Sequence, residues 1–280
     1  MAPALTVVGA GHVGSVLGRL FVRHGCFAVH DVLARSAASA QRGADFIGAG
    51  RALAIDGAPA LLSLQRADVY MLSVGDDQIA DVCATLAAAV PLAGAIVFHC
   101  SGALASDRLQ AARAAGAHVA SVHPIRSFAD RDAVAAAFGG TFCGIEGDAA
   151  ALAVLIPALE AIGARAVTID AAAKTVYHAA AVFASNYVTT VLDAALRAYQ
   201  AAGMTEAVAR ELAQPLVAET VANVFRLGAA PALSGPVARG DMATVARQHA
   251  AVAAWDDATG QLYGALIAPT AALAARKHGK

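Results

Sequence analysis

Leu5-Thr6-Val7-Val8-Gly9-Ala10-Gly11-His12-Val13-Gly14 is the stretch that decides how this chain is read. An apolar strand runs into glycines spaced Gly-x-Gly-x-x-Gly, and a segment of helical period follows. In that setting the first glycine permits a tight turn and the second lets the backbone approach a pyrophosphate. The third allows close helix packing. Free N–H groups and the helix dipole supply the positive potential, so no basic side chain is needed. The stretch therefore predicts a dinucleotide site formed by Gly9, Gly11, His12, Val13 and Gly14.

Outward from this turn, apolar runs alternate with Ala-rich segments of helical period, the pattern of βαβ units around a parallel sheet. Strands are expected at Leu5–Val8, Val29–Ala34, Val69–Val74, Ala95–His99, Val119–Val122, Phe142–Ile145 and Ala166–Ile169. After Ile169 the strand signal stops. Asp170 can N-cap a helix that nothing interrupts before Gly203, about 50 Å at 1.5 Å per residue. A second helix follows Thr205 and ends before Gly228, with a kink expected at Pro215. A loop with Gly235, Pro236 and Gly240 then leads to further helix. The expected fold is α/β: a Rossmann doubly wound sheet over residues 1–170, then an all-α domain over 171–280 built on a long inter-domain helix.

Composition narrows the function classes. The chain has 280 residues, 58% hydrophobic and 15% charged, with a net charge of -1. Nucleic acid and anionic membrane are thus poor partners. The longest uncharged stretch, Val82 to Ser106, is broken by Pro91, Gly94, His99, Ser101 and Gly102, so it reads as helix end, turn and buried strand. No basic leader precedes Leu5, which gives a cytoplasmic expectation. Cys26, Cys83, Cys100 and Cys143 stand far apart without a C-x-x-C pair, and neither a disulfide framework nor a metal site is expected.

Cofactor choice turns on the end of the second strand, where a carboxylate would meet a ribose and an arginine a 2′-phosphate. Asp31 and the pair Arg35-Ser36 are the candidates. With the strand running to Ala34, Arg35 and Ser36 occupy the loop, which favours NADP(H), with Asp31 as ribose ligand for NAD the alternative. Val74 and Gly75 end another strand at the same edge, where Gly75 lets backbone approach the cofactor; Asp76 or Asp77 is suited to cap the next helix.

Three lysines occur, Lys174, Lys277 and Lys280, so Lys174 stands out from an arginine background. A partly desolvated lysine can act as a general acid or base. Lys174, His178 and Ser185 fall within ~40° of one another at 100° per residue, a polar stripe on an apolar helix. Asn186 lies off that stripe. Further polar clusters at strand C-terminal ends, His99-Cys100-Ser101-Gly102 and His123-Pro124-Ile125-Arg126-Ser127, are expected at the nicotinamide end. There His123 can exchange a proton, and Arg126 can clamp a carboxylate. Structural roles compete: Ser101 and Ser127 as caps, His99 as a loop anchor, Asp241 as an N-cap. Arg239 is free to reach an anionic substrate or phosphate.

The motifs GAGHVG (9–14), ARS (34–36), SVGDD (73–77), HCSGAL (99–104), SVHPIRSF (121–128), FCGIEGD (142–148), KTVYHAAAVFASN (174–186) and SGPVARGD (234–241) carry a resemblance. The chain resembles a bacterial Rossmann-like family with a C-terminal domain of unknown function, grouped with NADP oxidoreductases. It is more distantly similar to 6-phosphogluconate and 3-hydroxyisobutyrate dehydrogenases, pyrroline-5-carboxylate reductase and prephenate dehydrogenase. In the hydroxyacid dehydrogenases a lysine opens the inter-domain helix, as Lys174 does here, with an asparagine one turn on where this chain has His178. His123-Pro124 is similar to a prephenate dehydrogenase His-Pro. The resemblance implies a homodimer through the helical domains, with Arg239 near the partner's cleft. The implied activity is NADP(H)-dependent hydride transfer to or from a small oxo, hydroxy or imino acid, of which a ketopantoate-like 2-oxo acid is one. The rival expectations are a non-catalytic NADP-binding sensor or scaffold and a deazaflavin-linked or imine reductase.

Overall fold

The computed structural model describes residues 1–55 and 63–277 and divides into two compact units, Met1–Ser185 and Asn186–Lys280. The first unit is built on eight strands: β1 Ala4–Val8, β2 Ala28–Ala34, β3 Arg51–Ala54, β4 Val69–Leu72, β5 Ile96–His99, β6 His118–Pro124, β7 Phe142–Gly147 and β8 Arg165–Thr168. They lie in the order β3-β2-β1-β4-β5-β6-β7-β8, parallel from β3 to β6. β7 then pairs antiparallel with β6, and β8 runs parallel to β7. The fold class expected from sequence is the one observed: a Rossmann-type sheet followed by a helical region.

Strand alternation explains why both faces are covered. Leu5, Val7, Met71, Phe98 and Val122 point into one core with α1 (His12–Arg23), α2 (Ala37–Ile47), α5 (Arg131–Ala136) and α6 (Ala149–Ala161). Val8, Tyr70, Leu72, Val97 and Val119 point into the other, beneath α3 (Ile79–Ala89) and α4 (Gln110–Ala114). Strands buried on both sides read as continuous apolar runs, which is why these were visible in the sequence. Strand β3 was not, because it is a four-residue edge strand with an exposed arginine and half-buried alanines.

Asp31 explains itself here. Its side chain sits in the middle of β2 with no solvent exposure, and Arg51 Nε on β3 donates to it at 2.9 Å. The Gln65 backbone N–H donates to its other oxygen at 2.8 Å. Its two oxygens tie the edge strand and the returning chain together, three residues short of the strand's end.

The long helix departs from expectation. Asp170 does accept from Ala172 N at 3.0 Å, opening a 3₁₀ turn ahead of α7 (Lys174–Val182). The run is then interrupted by a π-helical turn, Phe183–Tyr187, before α8 (Val188–Ala201). A π turn takes one residue more than an α turn and rotates the following face, so the uniform 100° stripe ends at residue 182. Ser185 and Asn186, whose side chains compete for backbone hydrogen bonds, lie in that turn. By length and composition alone, Ala171–Ala201 is apolar enough to cross a membrane.

The second unit is helical: the rest of that turn, α8, α9 (Glu206–Leu227), α10 (Ala229–Ala232), α11 (Met242–Trp255) and α12 (Asp257–Lys277). Helix α9 continues through Pro215, capped at its start by Thr205, whose Oγ1 accepts from Val208 N at 3.3 Å. Asp241 caps α11, accepting from Thr244 N at 3.1 Å.

Replacing Asp31 with alanine leaves the Gln65 amide without its acceptor, and should lower stability by about 1–3 kcal/mol in urea titrations. Dinucleotide affinity should stay within about twofold, a free-energy change near 0.4 kcal/mol. A selective loss of NADH binding would instead give Asp31 the ribose role.

Candidate functional site

The turn between β1 and α1 is shaped by what glycine lacks. Gly9 has φ +100°, and a β-carbon there would lie 2.5 Å from the Ser73 carbonyl oxygen. A β-carbon on Gly14 would strike the Ser73 hydroxyl and the Gly9 carbonyl. Ser73 Oγ itself donates to Gly9 O at 2.5 Å, so the turn is clasped against the end of β4. Gly11 is the opposite case: nothing lies within 4 Å of where its β-carbon would stand. It caps α1 without a side-chain hydrogen bond, and no acid occupies the first turn. The start of α1 therefore opens on free space at Gly11 with no acid to offset the helix dipole, a geometry suited to an anion.

Over this turn lies a cavity of about 540 Å³ whose walls include Gly9, Gly11, Arg35, Ser39, Val74 and Gly75. Ser36 is the α2 N-cap, its Oγ accepting from Ser39 N at 3.3 Å, and Arg42 donates to Ser39 Oγ at 2.9 Å. Two arginines and a hydroxyl thus meet at a second helix N-terminus. Ser36 contributes through the cap and does not line the cavity; neither does Asp31.

Ser73 and Val74 also line a second cavity of about 320 Å³, together with Val13, Asp76, Ser101, Gly102, His123 and His178. Strand β6 delivers His123 and α7 delivers His178, with ring centroids 5.5 Å apart at 71°. Gly102 leaves the rings room to close in, since a β-carbon there would lie 2.8 Å from His123 Nε2 and closer still to His178 Cδ2. His123 Nδ1 shares a hydrogen bond of 2.9 Å with the Tyr177 hydroxyl. Burial, reinforced by His178 and Lys174, pushes the His123 imidazole down to about 4, and Asp76 opposes this. Burial raises the Tyr177 phenol to about 12. Ser101 Oγ donates to Asp76 Oδ2 at 2.8 Å and accepts from Ala103 N and Leu104 N.

Lys174 lies under this loop, 2% exposed, and lines neither cavity. Its Nζ donates to Ser101 O at 3.2 Å and to Ser121 Oγ, and pairs with Glu146 at 3.7 Å. Glu146 in turn accepts from Ser106 N and Ser106 Oγ, each at 2.8 Å. Desolvation lowers the Lys174 pKa, and Glu146 works against it. The network holds both ends of the 101–106 loop.

Other candidates fall elsewhere. His99 is fully buried, bonding Ala105 O through Nε2 at 3.0 Å and accepting from Ser101 N at Nδ1, so it orders the loop. His12 bonds Phe128 O. Arg126 lines the second cavity while donating through Nη1 to Ala137 O and to Thr141 Oγ1 at 3.2 Å. Ser185 stands in the π turn; Asn186 and Arg239 belong to the second unit, Arg239 in the turn before Asp241. Tyr177, Glu146 and Ser39 escaped the sequence reading. Tyr177 adjoins His178, a signal that was present, whereas the Glu146–Lys174 pairing spans β7 and α7 and leaves no local trace.

Fold and turn define the class: a Rossmann-type sheet with a glycine turn opening its first helix, continued into a helical domain. More particularly, residues 3–124 match the Rossmann-like domain model and residues 141–270 match the domain of unknown function DUF2520. No curated protein matches it. Among solved structures it is similar to a putative NADP oxidoreductase from Bacteroides fragilis (20% identity, TM-score 0.79, covering 96% of this chain and 98% of that one). A protein from Thermotoga maritima matches at 26% identity and TM-score 0.71, over 98% and 99% of the two chains. An imine reductase from Myxococcus stipitatus in complex with NADP+ matches at 18% and 0.67, over 99% and 96%.

The depressed His123 gives a pH signature. Its unfolded value is near 6.5 and its folded value about 4, so the unfolded state binds the extra proton. The stabilisation is full above pH 6.5 and is lost as pH falls toward 4, of order 2 kcal/mol of it between pH 7.5 and 5. Chemical denaturation across that interval should show the loss, and His123→Asn should flatten it; equal slopes would contradict the assignment.

Proposed function

We propose that this chain is an NADP(H)-dependent oxidoreductase that moves hydride between nicotinamide and a small oxo, hydroxy or imino acid. The observation that carries the reading is the continuity of the two cavities through Ser73 and Val74. One end offers free helix amides for a pyrophosphate, and the other offers paired histidines at the C-terminal strand edge, where open α/β sheets place ligands. Gly9, Gly11, Gly14 and Val13 form the cradle, Val74 and Gly75 the floor, and Arg35 with Ser39 and Arg42 the pocket for a 2′-phosphate. The NADP+ complex of the imine reductase neighbour supports the same cofactor class. When bound, the nicotinamide supplies or takes up the hydride.

On the substrate side, His123 and His178 form the wall, Gly102 leaves the room, and Arg126 stands at the edge for a carboxylate. Lys174 is a positioning residue: its ammonium is committed to Ser101 O, Ser121 and Glu146, and acts through the loop. The helical domain is the surface for a second copy of the chain. Val208, Leu212 and Leu216 on α9 are exposed at four-residue spacing, a row of apolar side chains along one face of the helix that a monomer rarely presents to water.

Titration calorimetry should show NADPH binding more tightly than NADH. Arg35→Ala should weaken NADPH by about tenfold, the worth of one charge-assisted hydrogen bond, with NADH unchanged. Absence of heat with both nucleotides would overturn the proposal. For Lys174, a double-mutant cycle of Lys174→Met with Glu146→Gln should give a coupling above about 1 kcal/mol, with the single Lys174→Met variant losing about 3 kcal/mol. Full stability with abolished turnover would return Lys174 to a general-acid role.

A further inference from the structure

Asp76 is the acid that faces the reactive cavity. It begins the 3₁₀ turn after β4 and lines the same space as Ser101, Gly102, His123 and His178. Ser101 Oγ fixes its Oδ2 at 2.8 Å, and among the described residues Oδ1 has no hydrogen bond. Its field reaches His123, His99 and Lys174. A carboxylate anchored in this position determines which substrate charge the site can accept.

Reducing a carbonyl would develop negative charge on oxygen beside this carboxylate and would need an acid to quench it. Lys174, His123, Tyr177 and Arg126 are poor acids in this setting. Lys174 is spent on Ser101 O, Ser121 and Glu146, outside the cavity wall. His123 is neutral at ordinary pH, since burial pushes it down to about 4, and the Tyr177 phenol that bonds it is raised to about 12. Arg126 points Nη1 at Ala137 O and Thr141. A protonated imine has the opposite requirement. It arrives with positive charge, a neighbouring carboxylate favours its charged form, and its N–H is a donor for an ionised acceptor.

Resting on the oxidoreductase reading above, the geometry points to a protonated C=N group as the substrate function, held through its N–H by the carboxylate of Asp76. The iminium carbon accepts the hydride, the C=N π pair moves onto nitrogen and cancels its charge, and the reduced nicotinamide is oxidised. Atoms and electrons balance without a further proton. Ser101 is a positioning residue that holds Asp76.

The test combines a rate and an equilibrium. NADPH consumption is compared with 2-methyl-1-pyrroline, pyruvate and cyclohexanone, and binding of 2-methylpyrrolidine, a cation at neutral pH, to the NADP+-loaded protein is measured by calorimetry. The imine should exceed both carbonyls in kcat/KM by at least about 100-fold. Asp76→Asn should weaken amine binding by at least about tenfold, with NADP+ affinity held, and Asp76→Glu should recover part of it. Faster turnover of either carbonyl, no amine binding to the loaded protein, or unchanged amine affinity in Asp76→Asn would overturn this inference while leaving the cofactor reading intact. No binding of NADP+ or NADPH would overturn that reading itself.

Discussion

The wedge of Ser73 between Gly9 and Gly14 is the constraint from which the site follows. A strand-to-helix turn this tight brings the start of α1 against the end of β4, and the serine hydroxyl bonded to Gly9 O locks the approach. Because Ser73 and Val74 form walls of both cavities, the same contact that shapes the glycine turn also joins the cavity over it to the one beside His123. A single β-carbon at Gly9 or Gly14 would break that relation, since neither the Ser73 backbone nor the Gly9 carbonyl can give way cheaply.

Electrostatics then distribute the roles. Lys174 and Glu146 are both nearly buried, with side chains 3% and 8% exposed, and each is satisfied by the other and by serines. A buried pair of this kind adds little net stability and is costly to break, so its use is to fix geometry. The geometry fixed is the 101–106 loop, which sets Ser101 against Asp76 and Gly102 against the two histidines. The cavity is therefore walled by two imidazoles, that of His123 held neutral by burial, and one oriented carboxylate, with Lys174 withdrawn behind the loop.

Much of the fold was legible because its causes are local. Strands such as Val69–Leu72 and Ile96–His99 are apolar on both faces, and the glycine spacing at residues 9–14 has few other uses. Strand length alone places Arg35 in the loop after β2, and there it lines the cavity over the glycine turn. What escaped depends on distant pairings. Lys174 stands out by composition, but only the approach of β7 reveals its partner Glu146. The ring of His99 was expected near the cofactor, yet the return of the loop to Ala105 turns it inward. The π turn at Phe183–Tyr187 interrupts a pattern that reads as unbroken helix, so Ser185 could not be phased from Lys174.

The central claim is that the glycine turn and the α2 N-terminus together hold one NADP molecule. A crystal structure of the chain grown with NADP+ tests it most directly. The account predicts the pyrophosphate against the amides of His12 and Val13, the 2′-phosphate between Arg35 and Ser39, and the nicotinamide ring passing Val74 toward His123. A dinucleotide bound elsewhere, or one whose adenosine ribose is held by Asp31, would contradict it.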